Sequence, residues 1–168
     1  MTKKIQVPTG ARVLGPHDGQ ILGSPDGVRD RFMVDTSDSG GGFSLVEHLL
    51  APRSIAAPVH RHSSEDEYTY VLEGRIGALL GDDEVVAEVG ELIFKPRHQW
   101  HTFWNVGDSP GRVLEIICPG GLEELFRTLG SLESEPEPET LAALAATYGC
   151  DVDFERTGSV MERHGLSF

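Results

Sequence analysis

The chain has 168 residues and a formal charge of −13 at pH 7, with 27 Asp and Glu against 14 Lys and Arg. That length suits one folded unit with a sizeable core, and the acidic excess repels phosphate backbones and anionic lipid, which excludes nucleic acid and membrane surfaces as partners. No apolar run is long enough to cross a bilayer, and residues 1–8 carry positive charge without the apolar segment of a secretory leader, so the expected compartment is the cytoplasm.

Residues 1–42 mix short apolar pieces (11–14, 20–22 and 31–34) with Gly, Pro, Asp and Ser, a pattern that predicts one or two edge strands joined by loops. His17, within Gly15-Pro16-His17-Asp18-Gly19, falls on a turn and reads as structural or solvent-exposed, and 37–42 (Ser-Asp-Ser-Gly-Gly-Gly) reads as a flexible loop. Over 43–50 the chain predicts a strand with Phe43, Leu45, Glu47 and Leu49 on one face and Ser44, Val46, His48 and Leu50 on the other. If the first face lines the interior, Glu47 can accept the free N–H of a metal-bound histidine. If the second does, His48 is the candidate, and an exposed strand face is the remaining alternative.

The next stretch carries the chemistry. His60 and His62 stand two residues apart, which on a strand sends both imidazoles to one face, where they can share an ion. The polar segment 63–66 lets the chain bend and return Glu67 toward them, and the aromatic and β-branched run 68–72 predicts a strand ending at the turn residue Gly74. Further on, a short apolar strand reaches a turn at Pro96-Arg97-His98, and His101 opens another aromatic strand. Three imidazoles and one carboxylate make a plausible complete metal site.

Short strands are predicted at 75–80, 84–89, 91–95, 100–106 and 112–118, separated by turn residues at near-regular intervals, which indicates an all-β sandwich or barrel. After Pro119-Gly120-Gly121 the period changes to about 3.6. Leu122, Leu125, Phe126 and Leu129 form one helical stripe closed by Gly130, Leu141, Leu144, Ala145 and Tyr148 a second stopped at Gly149, and 160–164 belongs to a weaker third ended by Gly165. The acidic, Pro-containing segment 133–139 reads as a solvated linker, and the helices are expected outside the barrel or over its mouth. Cys118 and Cys150 have neither zinc-type pairing nor the density of a disulfide scaffold, so each reads as a small buried hydrophobe.

The spacing His-x-His-x4-Glu-x6-Gly at His60, His62, Glu67 and Gly74, with Gly-x5-Pro-x4-His-x3-Asn at Gly90, Pro96, His101 and Asn105, resembles the two motifs of the cupin superfamily, and the short form with a helical tail is similar to the monocupin quercetinases. Ser54 stands where a glycine usually opens the first motif, and His98 where one is expected in the second. The resemblance implies an all-β fold, a cupin double-stranded β-helix or jelly-roll barrel with a C-terminal helical extension. It divides a single domain, 1–168, into N-terminal strands and loops (1–42), the barrel with both motifs (43–118) and C-terminal helices (119–168). It also implies a homodimer built through the N-terminal strands.

In this reading His60, His62, Glu67 and His101 hold one divalent transition metal per chain (Fe, Mn, Ni, Co, Cu or Zn), since imidazole and carboxylate ligands do not choose among them. The first expected function is a dioxygenase acting on a small phenolic, enolic or flavonol-like substrate, with Glu67 as both ligand and proton acceptor. The alternatives are a non-redox cyclase or isomerase and a non-catalytic small-molecule-binding cupin. His98 reads by default as solvent-exposed, with an acid–base group at the pocket mouth or a substitute ligand as alternatives. Phe103 shares a strand face with His101 and Asn105 and is a candidate for lining the cavity, while Trp100 and Trp104 face the other way; core packing is the competing reading for all three aromatics.

Overall fold

A computed structural model of the chain describes residues 10–168, so the basic N-terminal stretch lies outside the described residues. The strands are β1 (Gln20–Gly23), β2 (Val28–Val34), β3 (Ser44–Leu50), β4 (Val59–His62), β5 (Asp66–Glu73), β6 (Ile76–Leu80), β7 (Asp83–Ala87), β8 (Leu92–Lys95), β9 (His101–Asn105), β10 (Gly111–Cys118) and β11 (Cys150–Asp153). The helices are α1 (Glu123–Gly130), α2 (Pro138–Thr147) and α3 (Phe154–His164). All pairings between named strands are antiparallel, in one sheet of order β1-β2-β3-β10-β5-β8 and another of order β11-β4-β9-β6-β7. The sheets face each other as a jelly-roll barrel with the helices after it. No helix among the described residues is long and apolar enough to cross a membrane.

Period-two alternation decides what fills the interior. Val71 of β5, Ile76 and Ala78 of β6, Ile93 of β8, Phe103 of β9 and Val113 of β10 join Leu50 and Ala87 in one buried cluster. Removing the Val, Leu, Ile and Phe side chains of this cluster from water stabilises the fold by about 1.5–3 kcal/mol each. A second cluster lies under the first two helices, where Leu122 and Leu125 meet Phe32, Val46 and Ile117, with Ala145 and Cys150 beside them. Glu123 anchors this end: its carboxylate accepts the N–H and O–H of Thr36 and the N–H of Gly121. A third cluster fills the outer side of the other sheet, where Val160 of α3 packs with Val59, Leu79, Trp104 and Ile55.

The C-terminal extension differs from a purely helical tail. Pro138 and Glu139 open α2 instead of ending the acidic linker. Gly149, at φ +72°, then turns the chain into β11, which pairs along the whole of β4. This strand escapes an apolar-run criterion because Cys150-Asp151-Val152-Asp153 carries only two apolar residues, alternating. Asp153 then caps α3 by accepting the N–H of Arg156 at 2.9 Å, and Gly165 ends it in the left-handed region. Cys118 corrects an expectation: it is exposed on β10, pointing its thiol at the Gly42 carbonyl, 3.3 Å away.

Candidate metal centre

His60 and His62 on β4, Glu67 on β5 and His101 on β9 converge between the two sheets, with one possible ligand atom of each within 4.8 Å of the others. Three strands produce this meeting. Alternation puts both β4 imidazoles inside, pairing of β4 with β9 sets His60 directly opposite His101, and the turn at 63–65 brings β5 back in the facing sheet. The ring centroids lie 4.4 Å (His60–His101), 4.7 Å (His60–His62) and 5.1 Å (His62–His101) apart. His62, Glu67 and His101 are almost wholly buried, while His60 is half-buried and marks the side nearest solvent.

The outer nitrogens determine what the inner ones present. His60 Nδ1 lies 2.7 Å from the Pro58 carbonyl and His101 Nδ1 2.9 Å from the Gln99 carbonyl. A carbonyl only accepts, so both Nδ1 atoms carry the proton and both Nε2 atoms turn a lone pair to the centre. His62 Nδ1 is likewise engaged, 3.1 Å from Cys150 Sγ. His62 Nε2 is buried without a hydrogen-bond partner, since Glu67 Oε1 at 3.4 Å is not suitably aligned. The other carboxylate oxygen, Oε2, is 3.1 Å from His101 Nε2. Once His62 gives up its Nε2 proton, three imidazole lone pairs and a carboxylate face one another and repel unless a cation stands between them, so this donor set fits a divalent metal.

The electrostatics agree. Burial alone would raise the Glu67 carboxyl, but Lys95 and His62 hold it well below the usual carboxylate range. Burial pushes His60 well below its ordinary value, helped by the neighbouring His101 and His62, and it also lowers His101. At His62 burial is outweighed by Glu67, which raises the imidazole to about 10. The one anion, Glu67, thus draws positive charge from two sides, Lys95 and His62.

Behind Glu67 lies a charged chain that a residue-by-residue reading missed. Lys95, 1% exposed, places Nζ 2.9 Å from Glu67 Oε2 and 3.0 Å from Glu115 Oε1, over the face of Phe103 at 4.6 Å. The Thr69 hydroxyl donates to Glu115 Oε2 at 2.7 Å. A lone Lys or Glu in a strand usually reads as solvated. The available signal was phase: Lys95 alternates with buried Ile93, and Glu115 stands between Val113 and Ile117.

The remaining candidates separate. Of the two β3 alternatives the even face looks inward: His48 packs between Phe103 and Phe126 and contacts Asp30 at 2.7 Å. Glu47 lies on the outer face, where Arg31 and Arg112 take its carboxylate, so it is not a partner of the imidazoles. Phe103 lies in the interior and Trp104 under α3. His98 is exposed and stays out of the cluster; its backbone φ of +68° keeps the left-handed conformation that favours the glycine expected there. Asn105 closes its own turn, donating to the Ala51 and Ser109 carbonyls and accepting the Gly107 N–H.

Residues 46–117 match the family model of the cupin domain. The chain is 29% identical over 117 residues to the tetracenomycin polyketide synthase protein TcmJ of Streptomyces glaucescens, covering 70% of this chain and 76% of that one. It is 33% identical over 108 residues to quercetin 2,3-dioxygenase of Aspergillus japonicus, covering 60% of this chain but 30% of that longer relative. Among solved structures it resembles the polyketide cyclase RemF of Streptomyces resistomycificus at 26% identity and a TM-score of 0.56, over 65% of this chain and 80% of that one.

Proposed function

The chain belongs to the cupin superfamily, and on that footing we propose that it is a metal-dependent enzyme acting on a small enolic or phenolic substrate, with His60, His62, Glu67 and His101 holding one divalent transition-metal ion. The observation that carries this reading is the convergence of imidazole nitrogens and a carboxylate, with His62 Nε2 buried and unpartnered. When bound, such an ion supplies Lewis acidity and, if redox-active, electron transfer.

The chain's own residues account for the rest. Glu67, kept ionised beside Lys95, is the acceptor placed to take the proton of a substrate hydroxyl or enol. Burial of His62, Glu67 and His101 keeps water from that proton, and half-buried His60 marks the side from which substrate enters. The likeness to the polyketide synthase protein TcmJ supports a polyketide-like substrate, and that to the polyketide cyclase RemF supports its cyclisation, a step that needs no oxidant. The likeness to quercetin 2,3-dioxygenase supports the second reading, dioxygen-dependent cleavage of a flavonol-like ring.

Turnover of polyphenolic polyketide precursors and flavonols, with dissolved oxygen recorded, tests both. Product formed under anaerobic conditions supports cyclisation, and substrate-dependent oxygen uptake supports dioxygenation. In either case Glu67→Gln should lower kcat by about 10²–10⁴-fold. Substrate binding without turnover would overturn the enzyme reading in favour of a binding protein.

We also propose a homodimer. Cross-strand register on the outer face of the larger sheet lines up Leu45, Ile116, Tyr68 and Phe94 in one row and Leu114, Tyr70 and Leu92 in the next. Tyr70, Leu92 and Phe94 are exposed, an apolar surface suited to a second copy.

A further inference from the structure

The three imidazoles are held from behind in two different ways. His60 and His101 each donate to a backbone carbonyl two residues earlier, contacts supplied by the local chain. His62 Nδ1 instead meets Cys150 Sγ at 3.1 Å, from 88 residues downstream. The sulfur is itself oriented, with its S–H directed to the Tyr148 carbonyl at 3.7 Å, so it turns a lone pair to His62. Strand register produces the contact: Cys150 stands opposite His62 and Val152 opposite His60. The same tail is fastened by the Ser63 N–H to the Gly149 carbonyl at 3.0 Å and by the Val59 N–H to Thr157 Oγ1 at 2.8 Å.

We infer that Cys150 is a positioning residue of the metal centre, coupling docking of β11 and α3 on β4 to metal loading through the His62 ring. The inference rests on the metal reading above. A histidine that gives Nε2 to a metal keeps its proton on Nδ1, and a buried N–H needs an acceptor. In the docked tail that acceptor is Cys150; with the tail undocked, His62 loses both the acceptor and the wall that fixes its ring. Strand docking therefore favours the ligating geometry. By reciprocity, metal on Nε2 favours the docked strand. The buried, unpartnered His62 Nε2, on the opposite side of the same ring, is independent evidence that the ring is aimed at a ligand.

Cobalt(II) is the probe, titrated into chelator-treated full-length protein and followed by its d–d absorption and by competition with a chromophoric chelator. Cys150→Val is expected to weaken cobalt binding by about 10–100-fold, with Cys150→Ser recovering much of the loss because a hydroxyl also accepts. The cobalt spectrum of Cys150→Val should shift, as loss of packing alone would not require. In the wild type, saturating cobalt should slow amide hydrogen exchange across 150–157 by at least about 5-fold, and this protection should shrink in Cys150→Val. The exchange comparison and Cys150→Ser carry the test if Cys150→Val fails to fold. Wild-type affinity and spectrum in the Cys150 variants, with exchange at 150–157 indifferent to cobalt, would overturn the inference while the metal reading stands, provided His62→Ala loses cobalt. A wild type that binds no cobalt would remove the metal reading and this inference with it.

Discussion

Replacing Lys95 with Met tests the charged chain behind the candidate metal centre. The ammonium lies 2.9 Å from Glu67 Oε2 and 3.0 Å from Glu115 Oε1, and all three side chains are no more than 3% exposed. Methionine fills much of the same volume, so the loss is electrostatic: two buried carboxyls are left without their common cation. Breaking a buried ion pair by removing one partner costs about 3–5 kcal/mol. At this chain length each kcal/mol moves Tm by about 2–4 °C, so a drop of about 6–20 °C is expected in metal-free protein. Adding Glu115→Gln should return about 1–3 kcal/mol, because one stranded acid is then neutral and still within reach of the Thr69 hydroxyl. The assay is urea unfolding of the metal-free wild type, the single variants and the double variant in a double-mutant cycle. A Lys95→Met cost below about 1 kcal/mol, or a double variant no more stable than Lys95→Met, would refute the reasoning.

Other consequences are open to direct measurement. Burial alone would raise the Glu123 carboxyl, but donors on Thr36 and Gly121 hold it below its ordinary value. Its stabilisation is therefore present above the unfolded-state pKa and lost as pH falls through the lower folded value. Glu123→Gln should cost about 1–3 kcal/mol in urea unfolding at pH 7, with the gap closing below about pH 4. A Cβ added at Gly77 would sit 2.3 Å from Trp104 Cε2, and that ring is 1% exposed, so Gly77→Ala should destabilise by about 1–3 kcal/mol or more; an unchanged Tm would refute the packing described. Tyr70→Glu combined with Phe94→Glu should convert a dimer to a monomer in light scattering without loss of metal binding, and an unchanged dimer mass would place the interface elsewhere.

Much of the barrel was legible because its signals are local. Alternation and regularly spaced turn residues marked most of the strands, and the two-residue step from His60 to His62 made a shared strand face readable from the residues alone. Charges inside the barrel were not legible in that way, because Lys95 and Glu115 satisfy each other across strands far apart in sequence. Only their phase with Ile93, Val113 and Ile117 hinted at burial. Glu47 and His48 illustrate the reverse difficulty: adjacent polar residues on one strand leave the inward face undecided until Arg31 and Arg112 are seen to occupy Glu47. β11 was hidden because it has four residues and its pairing partners lie 88 to 94 positions earlier. Cys150, read as a small buried hydrophobe, is buried as expected, but its place against His62 exists only in the folded pairing.

The most direct measurement of the central claim is elemental mass spectrometry of protein purified without chelator or added metal, for the wild type and His62→Ala side by side. Near-stoichiometric transition metal in the wild type, lost in a folded His62→Ala, is the predicted result. A folded wild type that retains no metal, even after reconstitution with divalent iron, manganese, nickel, cobalt, copper and zinc in turn, would contradict it and leave the barrel without the centre built inside it.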